Sequence, residues 1–216
     1  MKITRKLKLT KGFTLIELLV VIAIIGVLMS IVLTGQSTFN KTIILKNTAY
    51  DIALTLRQAE TYGMGSRAAG MTANAGYGVN FQAATPGTIT LFADTYPSPS
   101  AFNCHGLPIG GVSAPDAQPG NCVYDANQSE KVTNYAIGNG ITVSNFCAFN
   151  GSWECNVSSL DISFSRPNPS TFISTNGHYN SAYSSACLTI TSSQGGNRYV
   201  SVASSGEITA NAASCP

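Results

Sequence analysis

Three groups of residues have the types and the spacing to do chemistry. The first is Lys11-Gly12-Phe13-Thr14-Leu15-Ile16-Glu17, where a single carboxylate stands at the head of a long apolar run. The second is six cysteines, Cys104, Cys122, Cys147, Cys155, Cys187 and Cys215, suited to disulfides or to thiolate–metal bonds. The third is Asp125, Asn127 and Ser129, which have the alternating spacing of a calcium loop. Glu130 stands where that loop needs its glycine, and Ala136 where it needs a bidentate glutamate. The stretch therefore reads as a solvated loop. The cysteines include no C-x-x-C pair, and Cys104-His105 is too tight for a zinc knuckle, so neither metal nor cofactor is expected. His105 and His178 are isolated and expected to be exposed. No catalytic Ser/His/Asp spacing, nucleophile elbow or phosphate-binding glycine loop occurs, and Gly195-Gly196 reads as a turn. Enzymatic activity is not expected.

The apolar run places the first group. Leu18 to Leu33 contains one hydroxyl and no charge, and with Phe13 to Glu17 it is 21 residues long. As a helix this is about 32 Å, enough to cross a bilayer core. Five of the twelve basic residues (Lys2, Arg5, Lys6, Lys8 and Lys11) precede it with no acid among them. They hold the N-terminus in the cytoplasm and put the residues after about 35 outside. No convincing signal-peptidase site follows the run, and a plain anchor leaves Glu17 unexplained. A carboxylate near the head of a lipid-facing helix costs up to about 3 kcal/mol unless it finds a partner. Complementing the N-terminal helix dipole is one role for it.

The segment KGFTLIELLVVIAIIGVL, residues 11–28, resembles the processing site and helix start of the type IV pilin superfamily, which includes pilins and secretion or competence pseudopilins. The resemblance implies an α+β type IV pilin fold: a long N-terminal helix packed on an antiparallel β-sheet head with disulfide-stapled loops. It implies cleavage by a prepilin peptidase between Gly12 and Phe13, and N-methylation of Phe13. Glu17 would pair with the new amine of a neighbouring subunit during assembly, since two costly buried charges become tolerable together. The implied partners are other pilin-like subunits in a homo- or hetero-polymer, the membrane assembly platform, and lipid before assembly. The implied function is a structural subunit of a type IV pilus or pseudopilus-like filament. The alternative is a minor or tip subunit acting in adhesion, DNA uptake or type II protein secretion. Many major pilins have proline where this chain has Thr34, which favours a minor pilin or pseudopilin. Residues 51–60 and 198–208 loosely resemble GspH/FimT-type subunits. Some of those bind DNA through a Gly-Arg-x-Arg turn. Here the turn reads Gly206-Glu207-Ile208-Thr209, and both arginines are missing, so a nucleic-acid partner is not expected.

Composition agrees with export. Only 22 of 216 residues are charged, while Ser, Thr and Asn total 62. The net +2 belongs to the leader: beyond residue 12 the chain has seven basic and ten acidic residues, a net −3. The expected organisation is a cleaved basic leader (1–12), a hydrophobic transmembrane and assembly helix (13–35), its amphipathic continuation (36–65) and an exported β-rich head (66–216). The precursor is expected in the cytoplasmic membrane with its head outside, then in a cell-surface or periplasmic filament. Phe39, Ile43, Ile44, Ala49, Ile52, Ala53, Leu56 and Ala59 mark the apolar face of the continuation. Strands are expected at 77–81, 88–93, 131–137, 141–146, 160–165 and 186–191, with a hairpin of 199–202 and 207–210. Outside the cytoplasm an even cysteine count reads as a disulfide framework. Six cysteines allow fifteen connectivities, and the sequence does not choose among them. The expected pairing is sequential: Cys104–Cys122 closing the long connection 96–128, Cys147–Cys155 bracing a short loop, and Cys187–Cys215 pinning the C-terminus, similar to the C-terminal loop of many pilins. Trp153, Tyr179 and Tyr183 read equally as an exposed patch or as packing.

Overall fold

A computed structural model describes residues 12–65, 67–70, 72, 74–96, 104, 120–166 and 169–215, with the backbone alone at 34–40 and 211. The leader before Gly12, Phe39, His105 and most of the connection 96–128 lie outside the side chains described. Among the described residues one α-helix, α1, runs Leu15–Met64. Eleven strands follow: β1 Gly76–Gln82, β2 Thr88–Asp94, β3 Lys131–Ala136, β4 Ile141–Phe149, β5 Trp153–Glu154, β6 Ser159–Phe164, β7 Thr171–Thr175, β8 His178–Tyr179, β9 Ser185–Ser192, β10 Asn197–Ala203 and β11 Ile208–Ala212. The architecture is α+β. The chain divides into two compact units, 1–41 and 42–216, and the division falls inside α1.

The second unit holds two antiparallel sheets, ordered β3-β2-β1-β6-β7-β8 and β11-β10-β9-β4-β5. Leu45, Ala49, Ile52, Leu56 and Ala59 form the buried stripe of the helical segment 42–64. Their alternating four- and three-residue steps keep one face turned to the sheets. That face includes Leu45 and leaves out Ile43, which is exposed, and Ala53, which is only partly covered. The stripe shares one core with Val79, Phe81 and Leu91 of the first sheet and with Phe146, Leu188 and Val200 of the second. Period-two alternation puts these residues on the inner faces.

The first sheet is buried on its other face too. Asn80, Phe92, Asp94, Asp161, Ser163 and Ser174 alternate with the core residues and are themselves buried. Residues 122–124 lie over them. The Tyr124 ring sits 5.5 Å from that of Phe92, and the Ser174 hydroxyl donates to the Cys122 carbonyl at 2.6 Å. Such two-sided cover explains why β7, Thr-Phe-Ile-Ser-Thr, has no obvious strand signature: apolar Phe172 and Ile173 point to opposite faces.

Three disulfides join the cysteines in chain order. Cys104–Cys122, Cys147–Cys155 and Cys187–Cys215 have Cα separations of 5.9, 4.2 and 5.7 Å. The helix ends against β6. A Cβ on Gly63 would lie 2.2 Å from the Phe164 carbonyl oxygen, so the backbones meet where only glycine fits. Gly63→Ala is expected to lower head stability by about 1–3 kcal/mol, the usual cost of overpacking. The midpoint of urea unfolding should fall with little change in slope, and an unchanged midpoint would show that the contact yields freely.

Candidate processing and assembly site

Gly12 and Phe13 precede α1 outside regular structure and are exposed. Thr14 is the N-cap. Its carbonyl accepts the Leu18 N–H at 3.2 Å, and its hydroxyl accepts the Glu17 N–H at 3.3 Å. Glu17 reaches back: its Oε2 accepts the Thr14 N–H at 3.1 Å and the Thr14 hydroxyl at 3.0 Å. This is a capping box, in which each side chain accepts the other residue's otherwise orphaned backbone N–H. The signal was present in the sequence as Thr14-x-x-Glu17, and reading Glu17 as a partner for a neighbour's amine or for the helix dipole missed it. The carboxylate thus sits at the positive end of the helix with Oε2 occupied and no hydrogen bond to Oε1 among the described residues.

The stretch Leu15–Leu33 that follows is 19 residues long, apolar enough to cross a membrane, and none of its side chains is buried within the chain. Ser30, its one hydroxyl, donates to the Val27 carbonyl at 2.7 Å, so this polar group is satisfied inside the helix. The helix continues through Thr34-Gly35 without a break.

The head has a second polar centre that the sequence reading missed. Three buried carboxylates clasp the backbone of 120–130. Asp94 accepts the N–H groups of Asn121 and Cys122 at 3.0 and 2.8 Å. Glu130 accepts those of Thr95, Tyr96 and Asp125, each at 2.8 Å. Asp161 accepts the Asn80 amide at 2.7 Å and the Tyr124 N–H. Gly120, with φ of +119°, has no room for a Cβ, which would fall 2.4 Å from the Asp94 carboxyl carbon. The solvated-loop reading therefore holds for the exposed Ala126 to Ser129 but is wrong for Glu130, which is 1% exposed. Its carboxylate turns inward because backbone N–H groups converge there.

Among the described residues these oxygens are taken up as hydrogen-bond acceptors. The ligand atoms of Asp94, Cys104 and Cys122 lie within 4.8 Å of one another, yet the two sulfurs are bonded together and offer no thiolate. Asp125 Oδ2 accepts the Asn121 amide at 2.9 Å, while Asn127 and Ser129 face solvent. His178 is exposed on β8, as is Glu207 beside its turn. Of the aromatic trio, Tyr183 is buried and donates to Glu154 at 2.5 Å. Trp153 is half-exposed, its ring 5.1 Å from that of Phe149.

Burial and neighbouring charge set the protonation of the clasp. Loss of solvent, with Asp94 nearby, pushes Glu130 up to about 7 despite its three N–H donors. Full burial, with Asp94 and Asp125 nearby, pushes Asp161 up to about 8 against the Asn80 and Tyr124 hydrogen bonds.

A prokaryotic N-terminal methylation motif matches residues 7–33. This is the prepilin signal of type IV pilins and pseudopilins, and it covers Gly12, Phe13, the capping box and the apolar helix. Neither a curated protein nor a solved structure matches the chain.

In the unfolded chain these carboxyls titrate near pH 4, while folded they keep their protons to about pH 7 and 8. The native state therefore binds more protons across that window, and stability falls as pH rises through it. The melting temperature of the head is expected to be higher at pH 5 than at pH 8.5. Asp161→Asn, which keeps a neutral side chain of the same shape, should flatten the dependence. An equal slope in wild type and variant would remove Asp161 from the account.

Proposed function

We propose that this chain is a structural subunit of a type IV pilus or pseudopilus-like filament. It is made as a prepilin, cleaved after Gly12, N-methylated at Phe13 and polymerised through α1. One observation carries this reading: the methylation motif at 7–33 runs directly into a helix with no buried side chain from Leu15 to Leu33. Lipid covers those side chains in the precursor, and the helices of other subunits cover them in the filament. The chain itself performs no covalent chemistry. Prepilin peptidase and a membrane assembly platform act on it, with the head outside the cytoplasmic membrane.

Glu17 suits the assembly step. One oxygen holds the helix start through Thr14 while the other remains to receive the new Phe13 amine of a neighbour. Each charge alone is costly in an apolar surrounding, so a subunit out of register is penalised. The unbroken helix through Thr34-Gly35 favours a minor pilin or pseudopilin over a major pilin. The exposed Glu207 at the Gly206 turn speaks against phosphate binding there.

Mass spectrometry of sheared surface filaments from the native cell tests this. The mature chain is expected to begin at N-methylated Phe13. Glu17→Ala should still be cleaved but reach filaments about a hundredfold less or worse, the scale of losing one partner of a buried pair. Dominance in sheared material would mark a major pilin, and scarcity a minor pilin or pseudopilin. An uncut N-terminus would overturn the reading.

A further inference from the structure

The second sheet places four of the six cysteines in one cluster. Cys147 of β4 and Cys187 of β9 are direct cross-strand partners. Their neighbours Phe146, Ala148, Ala186 and Leu188 point into the core, so both sulfurs project together from the opposite face. Residues directly opposed in an antiparallel pair have Cα atoms about 4.5–5.5 Å apart, within the range that a disulfide spans. Cys147 and Cys187 are buried, whereas their bonded partners Cys155 and Cys215 are only partly covered. Two disulfides thus lie side by side, with their inner cysteines paired across the strands and their outer cysteines partly exposed. The Asn145 amide nitrogen is 3.7 Å from Cys147 Sγ.

We propose that these four cysteines form a thiol–disulfide exchange relay, in which a dithiol reductant acting on Cys155 releases the C-terminal tail through a Cys147–Cys187 bond. The reductant's first thiolate attacks Cys155 Sγ. The Cys147–Cys155 bond breaks and Cys147 leaves as a thiolate, stabilised by the Asn145 N–H. Cys147 then attacks Cys187 Sγ, the Cys187–Cys215 bond breaks, and Cys215 leaves as a thiolate that takes up a proton. The reductant's second thiol resolves the mixed disulfide at Cys155 and departs as its own disulfide. In sum, one dithiol is oxidised, two protein disulfides become one, and Cys155 and Cys215 become free thiols. A single two-electron event thereby opens both the hairpin carrying Trp153 and the C-terminal anchor. The natural co-reactant is a thiol–disulfide oxidoreductase of the compartment that holds the head.

The test is partial reduction of the full chain in detergent with limiting dithiothreitol, quenching with N-ethylmaleimide, and peptide mapping by mass spectrometry. Among molecules that have lost one bridge from this cluster, the expected species links Cys147 to Cys187 and carries maleimide on Cys155 and Cys215. Molecules labelled only as native pairs, Cys147 with Cys155 or Cys187 with Cys215, would overturn the relay. The double variant Cys155→Ser/Cys215→Ser gives a second reading. With oxidised glutathione it is expected to close a Cys147–Cys187 disulfide, and persistence of two free or glutathionylated thiols would refute the proposal.

Discussion

The first constraint on this chain is a stretch of helix whose apolar side chains the chain itself does not cover. Sixteen large apolar residues from Phe13 to Leu33 stand exposed. At roughly 1.5–3 kcal/mol for each such side chain, leaving them in water would cost a few tens of kcal/mol, more than the whole net stability of an ordinary domain. The segment therefore exists only with a second phase around it. In such a phase no backbone donor can be left without a partner, which gives the capping box its importance. Thr14 and Glu17 close the start of the helix with groups of their own.

The head solves a different problem with few charges. Its carboxylates are placed at backbone donors in preference to cations, and only one ion pair, Arg57–Glu60, is seen among the described residues. Asp94, Glu130 and Asp161 fasten one segment across the outer face of a sheet whose inner face already holds the hydrophobic core. The first sheet is then a middle layer, covered above by chain and below by the helix stripe and the second sheet. Three disulfides act on the unfolded side of the balance, each contributing about 2–4 kcal/mol by limiting the open chain.

Much of this was legible from residue order. The motif Gly12-Phe13 with Glu17, the long helix and most strands carry local signals, because each depends on neighbours within a few positions. What was not legible depended on contacts far along the chain. β5 and β8 are two-residue strands that exist only because β4 and β7 supply the pairing edge. The two faces of β7 are both covered, which erased its alternation. Glu130 read only as the residue that fills a calcium loop's glycine position, since nothing nearby in sequence announces the N–H groups of Thr95 and Tyr96. The choice of Leu45 over Ile43 for the core depends on how the helix face meets the sheets, which a list of apolar positions leaves open. The adjacency of Cys147 and Cys187 follows from strand register, which no cysteine count contains.

The clasp also bears on how such a surface can be altered. Cys104 and Gly120 are held at fixed points, one by its disulfide and the other by its fit against Asp94. Loop-closure entropy by itself sets little limit on the length of chain joining two such points, since closing a loop twice as long costs only about 0.6 kcal/mol more. An epitope or affinity tag grafted between them would leave the bonds that define the head in place. If the subunits polymerise, the graft would repeat at every subunit, making the filament a periodic display scaffold whose cargo is set by this one stretch of chain.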